Sequence, residues 1–185
     1  MKQKLIKRLL KKREIHGELE ARRPKLYRVA RSWCHDSHLA DDLTQQTLVK
    51  ALQSVDKLRN RDLLDPWIYR ILSNCWKDYL RSKRDTVDID DAGLIRNENP
   101  EDMHYESQIV LRIRQAIATL PEKQRQVVTL VDLAELTYNE VSEALEIPIG
   151  TVMSRLCRAR QALRSSLVDL DHSHETTERR LRRVK

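Results

Sequence analysis

The side chains best suited to chemistry lie between Ile149 and Arg164. On a 3.6-residue period Thr151, Ser154, Arg158 and Gln161 fall on one side, with Arg155 on its flank. Each donates hydrogen bonds and none is acidic. Arginine can pair bidentately with guanine, and serine or threonine can bond a base or a phosphate, which is the chemistry of the DNA major groove. The same row also fits a solvated basic face on a surface hairpin. A second row mixes Trp67, Tyr69, Trp76 and Tyr79 with Arg70, Asn74, Lys77, Arg81, Lys83 and Arg84. Rings of this kind hold unstacked bases while cations track phosphates. Helical aromatics also fill cores: Ile68, Ile71, Leu72 and Leu80 are expected inside, and Trp76 and Tyr79 fit either role. A third group, Asp41, Asp42, Gln45 and Gln46, offers either a docking edge or a solvated face.

No set of residues points to catalysis. There is no Gly-rich phosphate loop, no paired metal ligands and no nucleophile beside a plausible base, so neither an enzyme nor a small-molecule substrate is expected. Cys34, His35 and His38 lack a second ligand cluster, so no metal and no cofactor is expected, and His35, His38, His172 and His174 read as surface residues. Cys34, Cys75 and Cys157 are far apart and read as reduced, mostly packed thiols. No apolar run is long enough to cross a bilayer and the charged start lacks a signal-peptide core, so a cytoplasmic location is expected. A formal charge of +7 at pI near 9.4 favours a nucleic-acid partner.

Elements must hold these rows in place. With three glycines and many Leu, Ala, Arg, Lys, Glu and Gln, the composition predicts an all-α protein. Met1 to Arg31 carries twelve Lys and Arg against three Glu and reads as a first bundle helix, bent or restarted at Pro24. A membrane-surface helix is the other reading of that basic amphipathic segment. Leu26, Tyr27, Val29, Ala30 and Trp33 supply apolar surface, and Cys34 to His38 reads as a connection. Leu39, Leu43, Leu48, Leu52 and Val55 make Ala40 to Val55 an amphipathic helix. Asp56 to Asp65 reads as a polar loop, and Pro66 opens the aromatic-basic helix.

Residues 85–107 hold eight acidic side chains against one Arg and read as a linker. Beyond it Ile109, Ile113, Ile117 and Leu120 form a stripe. Thr119 to Glu122 has capping-box spacing, and Val127, Val128, Leu130 and Val131 face inward on the next helix. Thr137 and Glu140 form a further capping box, with Val141, Ala144 and Leu145 behind it. Glu146-Ile147-Pro148 breaks that helix. The helix carrying the first row then opens, with Ile149, Val152, Leu156, Ala159 and Leu163 as its apolar stripe. The expected units are therefore two small helical domains, 1–84 and 108–168, joined by the acidic linker 85–107. The second carries a helix-turn-helix, and 169–185 is a polar tail that frays.

Two separated stretches resemble one family. LYRVARSWCHDSHLADDLTQQTLVKAL with DPWIYRILSNCWKDYLRSKR is similar to region two of the sigma-seventy family. LPEKQRQVVTLVDLAELTYNEVSEALEIPIGTVMSRLCRARQALR is similar to its region four. Both match the compact extracytoplasmic-function class. The resemblance implies a sigma factor that binds core RNA polymerase and directs initiation at particular promoters. Thr151, Ser154, Arg155 and Arg158 would then read the minus-thirty-five element as duplex promoter DNA. Lys123, Arg125 and Arg160 are weaker phosphate candidates. Asn60, Arg61, Trp67, Asn74, Lys77 and Asp78 would capture the melted minus-ten element, and Asp41, Asp42, Gln45 and Gln46 would dock on the polymerase clamp helices. The linker would pass through the RNA exit channel, and an anti-sigma factor would be the inhibitory partner. The alternative reading, a free-standing helix-turn-helix regulator, would bind duplex DNA alone without Asp41 to Gln46.

Overall fold

The computed structural model describes residues 2–58, 60–86 and 108–182, with side chains for 13–56, 58, 60–84 and 110–167. All of its regular elements are helical: α1 Lys2–Cys34, α2 Ser37–Ser54, α3 Leu64–Thr86, α4 Gln108–Ala118, α5 Glu122–Asp132, α6 Tyr138–Leu145 and α7 Ile149–Arg182, with 3-10 turns at Val55–Lys57 and Arg61–Leu63. The acidic stretch expected as a linker lies, from residue 87 to 107, outside the described residues.

The first three helices pack on one another through apolar residues at helical spacing. Ile15, Leu19, Leu26, Val29 and Ala30 of α1 meet Ala40, Leu43, Leu48 and Ala51 of α2 and Leu64, Ile68, Leu72 and Cys75 of α3, all buried. α1 runs unbroken through Pro24, not restarting there as expected. Proline removes the bond to the Glu20 carbonyl, and both residues are exposed, so water can satisfy that oxygen. The connection after α1 is only His35 and Asp36. Asp36 Oδ1 accepts from the Leu39 amide at 3.0 Å, and this cap starts α2 three residues before the expected Ala40. The expected polar loop is largely ordered by its two 3-10 turns, because Leu58 is buried and anchors it.

The later helices follow the same logic. Val127, Val128 and Leu130 of α5, Val141, Ala144 and Leu145 of α6 and Val152, Leu156 and Ala159 of α7 are buried together. Three expectations need correction. Ile113 is exposed, and Ala116 and Ile117 of α4, with Leu120 just beyond its end, point inward. The capping box at Thr119 does not form: Pro121 is the N-cap residue, Thr119 Oγ1 donates to the Ala116 carbonyl, and Glu122 is held by Trp76 instead. Ile149 is exposed, because it is the first residue of α7 and points off the core.

The second box does form. Glu140 N–H donates to Thr137 Oγ1 at 3.3 Å and Thr137 N–H to Glu140 Oε2 at 2.7 Å. Glu146 then turns left-handed at φ 57, and the Pro148 carbonyl accepts from Thr151 and Val152 amides to open α7. The backbone of α7 stays helical to Arg182, where a fraying tail was expected; no Gly or Pro lies beyond Gly150 to stop it. Thr137→Ala should lower the stability of this unit by about 1 kcal/mol in urea unfolding followed by circular dichroism.

Candidate nucleic-acid interface and the joint between the helical units

The row on α7 is placed by the buried stripe behind it. With Val152, Leu156 and Ala159 inside, Ser154, Arg158 and Gln161 are forced outward, and Thr151 and Arg155 stand half-exposed on the shoulder. Ser154 Oγ donates to the Thr151 carbonyl at 3.1 Å. Among the described residues the Arg155 and Arg158 guanidiniums have no ion-pair or hydrogen-bond partner, so their donors are open to a ligand. Arg160 differs: it donates to Asp132 Oδ1 at 2.7 Å. Cys157 is exposed between these side chains, while Cys75 is buried and Cys34 half-buried, so one of the thiols expected to be packed is at the surface.

On α3 the helical period puts Trp67, Asn74 and Asp78 on one outward face with Lys77 beside them. Trp67 is half-buried and the other three are exposed. Lys50 of α2 reaches Asp78 at 3.4 Å. Asn60 and Arg61 do not join this group as free side chains. Asn60 Oδ1 caps its own turn, accepting from the Asp62 amide at 3.1 Å, and Arg61 binds Glu14 at 2.6 Å and Glu18 at 3.6 Å on α1. Asp41, Asp42, Gln45 and Gln46 are all exposed on α2, with Arg23 only 3.8 Å from Asp41.

The other side of α3 is covered, because α6 packs against it. Tyr69, Ser73 and Trp76 are buried on that side, so Tyr69 and Trp76 belong to packing and not to an open surface. Trp76 Nε1 donates to Glu122 Oε1 at 3.0 Å, and its ring stacks on Tyr79 at 5.6 Å. Deeper in the joint Trp33 Nε1 donates to Thr129 Oγ1 at 2.8 Å, a fully buried bond between α1 and α5. Arg125 is not a free phosphate contact here. It is half-buried at the C-terminal end of α1, donating to the Trp33 carbonyl at 3.4 Å and to His35 Nε2. His35, expected at the surface, is thus part of the joint, and burial followed by the charges of Arg125 and Arg31 pushes its pKa down to about 4.

Two exposed ion pairs complete the joint. Lys25 meets Glu135 at 2.6 Å and Arg70 meets Glu146. Among the described residues His35 and Glu146, at the ends of α1 and α6, and Glu135, in the loop after α5, are the non-glycine residues with positive φ, and each bonds across this joint. Sequence reasoning missed the whole set. Only Trp33, expected among the apolar surface of the first helix, and the off-stripe Thr129 offered a signal, and nothing in their spacing pairs them.

Comparison with known proteins decides the family. The model of sigma-70 region 2 matches residues 19–86, and that of sigma-70 region 4 matches residues 111–163. The SigW factor of Bacillus subtilis, an ECF RNA polymerase sigma factor, is 32% identical over 158 residues, covering 79% of this chain and 84% of that protein. The chain belongs to the ECF sigma factors. SigE of Mycolicibacterium smegmatis is 31% identical over 160 residues, and this chain spans 61% of its length. Among solved structures, RpoE of Bartonella quintana in complex with the anti-sigma factor NepR aligns at TM-score 0.69 and 26% identity, covering 83% of this chain and 96% of that one. CnrH in complex with the cytosolic domain of CnrY shares the fold at TM-score 0.61 and 24% identity. In this sigma factor, then, α1–α3 carry region 2 and α4–α7 carry region 4.

Removing the acceptor at the buried centre of the joint isolates its contribution. Thr129→Val keeps the shape and strands the Trp33 indole N–H, and should destabilise the full chain by about 1–3 kcal/mol in urea unfolding.

Proposed function

We propose that this ECF sigma factor binds core RNA polymerase and directs initiation at particular promoters. In this reading Thr151, Ser154, Arg155 and Arg158 read the upstream element as duplex. The outward face of α3, with Trp67, Asn74, Lys77 and Asp78, captures the melted downstream element. The observation that carries the reading is the pairing of the two regions in one chain, each presenting an exposed donor row while its apolar stripe is buried. Opening a base pair costs a few kcal/mol, which an extruded base recovers by stacking and hydrogen bonding in a protein pocket. Asn60 and Arg61 join the downstream site by exchanging their internal partners for DNA. The ion pairs of Arg61 with Glu14 and Glu18 are exposed and screened by solvent, so a phosphate can replace them.

Asp41, Asp42, Gln45 and Gln46 form the polymerase-docking edge, and their exposure along one helix supports that assignment. The relative of known structure bound to NepR supports an anti-sigma factor as the inhibitory partner of this chain. The acidic segment between the two units passes through the RNA exit channel of the polymerase in the same reading.

Two experiments test this function. The double change Asp41→Lys and Asp42→Lys should weaken binding to core polymerase at least about tenfold and abolish promoter-directed transcripts; undiminished binding counts against the docking edge. Arg155→Ala and Arg158→Ala should each cost about 1–3 kcal/mol of promoter binding by the holoenzyme, concentrated on one base position. A loss that is equal for every promoter sequence identifies a phosphate contact instead.

A further inference from the structure

The joint between the two units contains a contact that exists in only one protonation state. Arg125 has donors and no acceptor, so its hydrogen bond to His35 Nε2 requires a lone pair on that nitrogen. Neutral His35 with its proton on Nδ1 has that lone pair. The imidazolium has none, and it adds a second positive charge against a half-buried guanidinium. We propose that His35 and Arg125 form a proton-operated latch that holds region 4 against region 2 and lets go when His35 is protonated.

The surroundings favour the neutral state. The charged groups facing His35 are Arg125 from α5 and Arg31 from α1, both cationic and both raising the cost of a further positive charge. Arg31 is itself buried. The nearest carboxylate in sequence, Asp36, is engaged as the cap of α2 through the Leu39 amide. Glu122 on α5 is turned to Trp76 and Gln126. Burial presses the same way on both partners, lowering His35 and Arg125 alike.

The joint is also built to part. Arg125 Nε and Ser73 Oγ are buried there without a hydrogen-bond partner among the described residues. Exposure to water would satisfy both. His35, Glu135 and Glu146 hold left-handed backbone that non-glycine residues avoid, and each bonds across the joint.

His35 titrates near 6.5 when exposed and near 4 in the joint, so the open form binds the proton more tightly. The latch contributes fully above pH 6.5 and is lost progressively as pH falls from 6.5 towards 4. Between pH 7.5 and 5.5 the open-to-closed ratio should rise about tenfold. Glu135 is held below the usual carboxylate range by Lys25 and stays ionised over that window.

Single-molecule energy transfer tests this on the full chain, with dyes attached at Gln53 on α2 and Arg164 on α7 by chemistry that leaves the cysteines intact. The wild type should shift to low transfer about tenfold in population between pH 7.5 and 5.5, with its helical circular dichroism unchanged. His35→Asn and His35→Gly both accept the left-handed backbone and cannot take up the proton, so their populations should stay flat. A wild type that does not open, variants that open with the same pH profile, or opening accompanied by helix loss would each overturn the latch.

Discussion

The buried bond from Trp33 to Thr129 fixes how the two halves of this molecule meet. An indole N–H is costly to bury alone, and its acceptor here is Thr129 Oγ1, which itself donates back to the Arg125 and Gln126 carbonyls of α5. Their pairing sets the end of α1 against the middle of α5. Arg125, one turn earlier on α5, is then delivered to the Trp33 carbonyl and to His35. On the far side of the joint Glu122 meets Trp76 and α6 settles on α3. The closed arrangement therefore depends on one register between two helices from different regions.

That register sorts the side chains of α3 into two populations. Tyr69, Ser73 and Trp76 are covered by region 4, while Asn74, Lys77 and Asp78 stay in water on the opposite face. The same sorting operates on α7, where Val152, Leu156 and Ala159 are buried and Ser154 and Arg158 project outward. Each donor row is a by-product of what its helix buries. A helix has one direction left once its apolar stripe is committed, and in both cases that direction carries the polar residues.

The basic side chains divide by partner. Arg22 is held by Asp65 at 2.5 Å, Arg61 by Glu14 and Arg160 by Asp132, so these charges are internally balanced. Arg155 and Arg158 have no such partner among the described residues. Exposed pairs bring little stability and are screened by salt, so balance matters less for the fold than for which cations meet an anion first. The unpaired ones need displace nothing. The chain's +7 charge thus has a spatial structure that composition alone does not contain.

The chain's own residue pattern is enough for the helical class, the core stripes of α2, α5 and α6, the Thr137–Glu140 box and the outward row on α7. These are consequences of local periodicity and local hydrogen bonding, which need no knowledge of distant residues. It also held the two regions that mark the family. It did not determine that Trp76 and Tyr69 are buried, that Arg125 leaves the surface or that His35 meets it. Trp33 and Thr129 lie 96 residues apart, and no periodic pattern links positions so distant. The Thr119 box failed for the same reason, since Glu122 found Trp76 across the joint. Ile113 and Ile149 show the local limit: each continues a helical stripe beyond the point where another helix is there to cover it. Only the tertiary structure decides where that cover ends, because burial is a property of two surfaces and a stripe is a property of one.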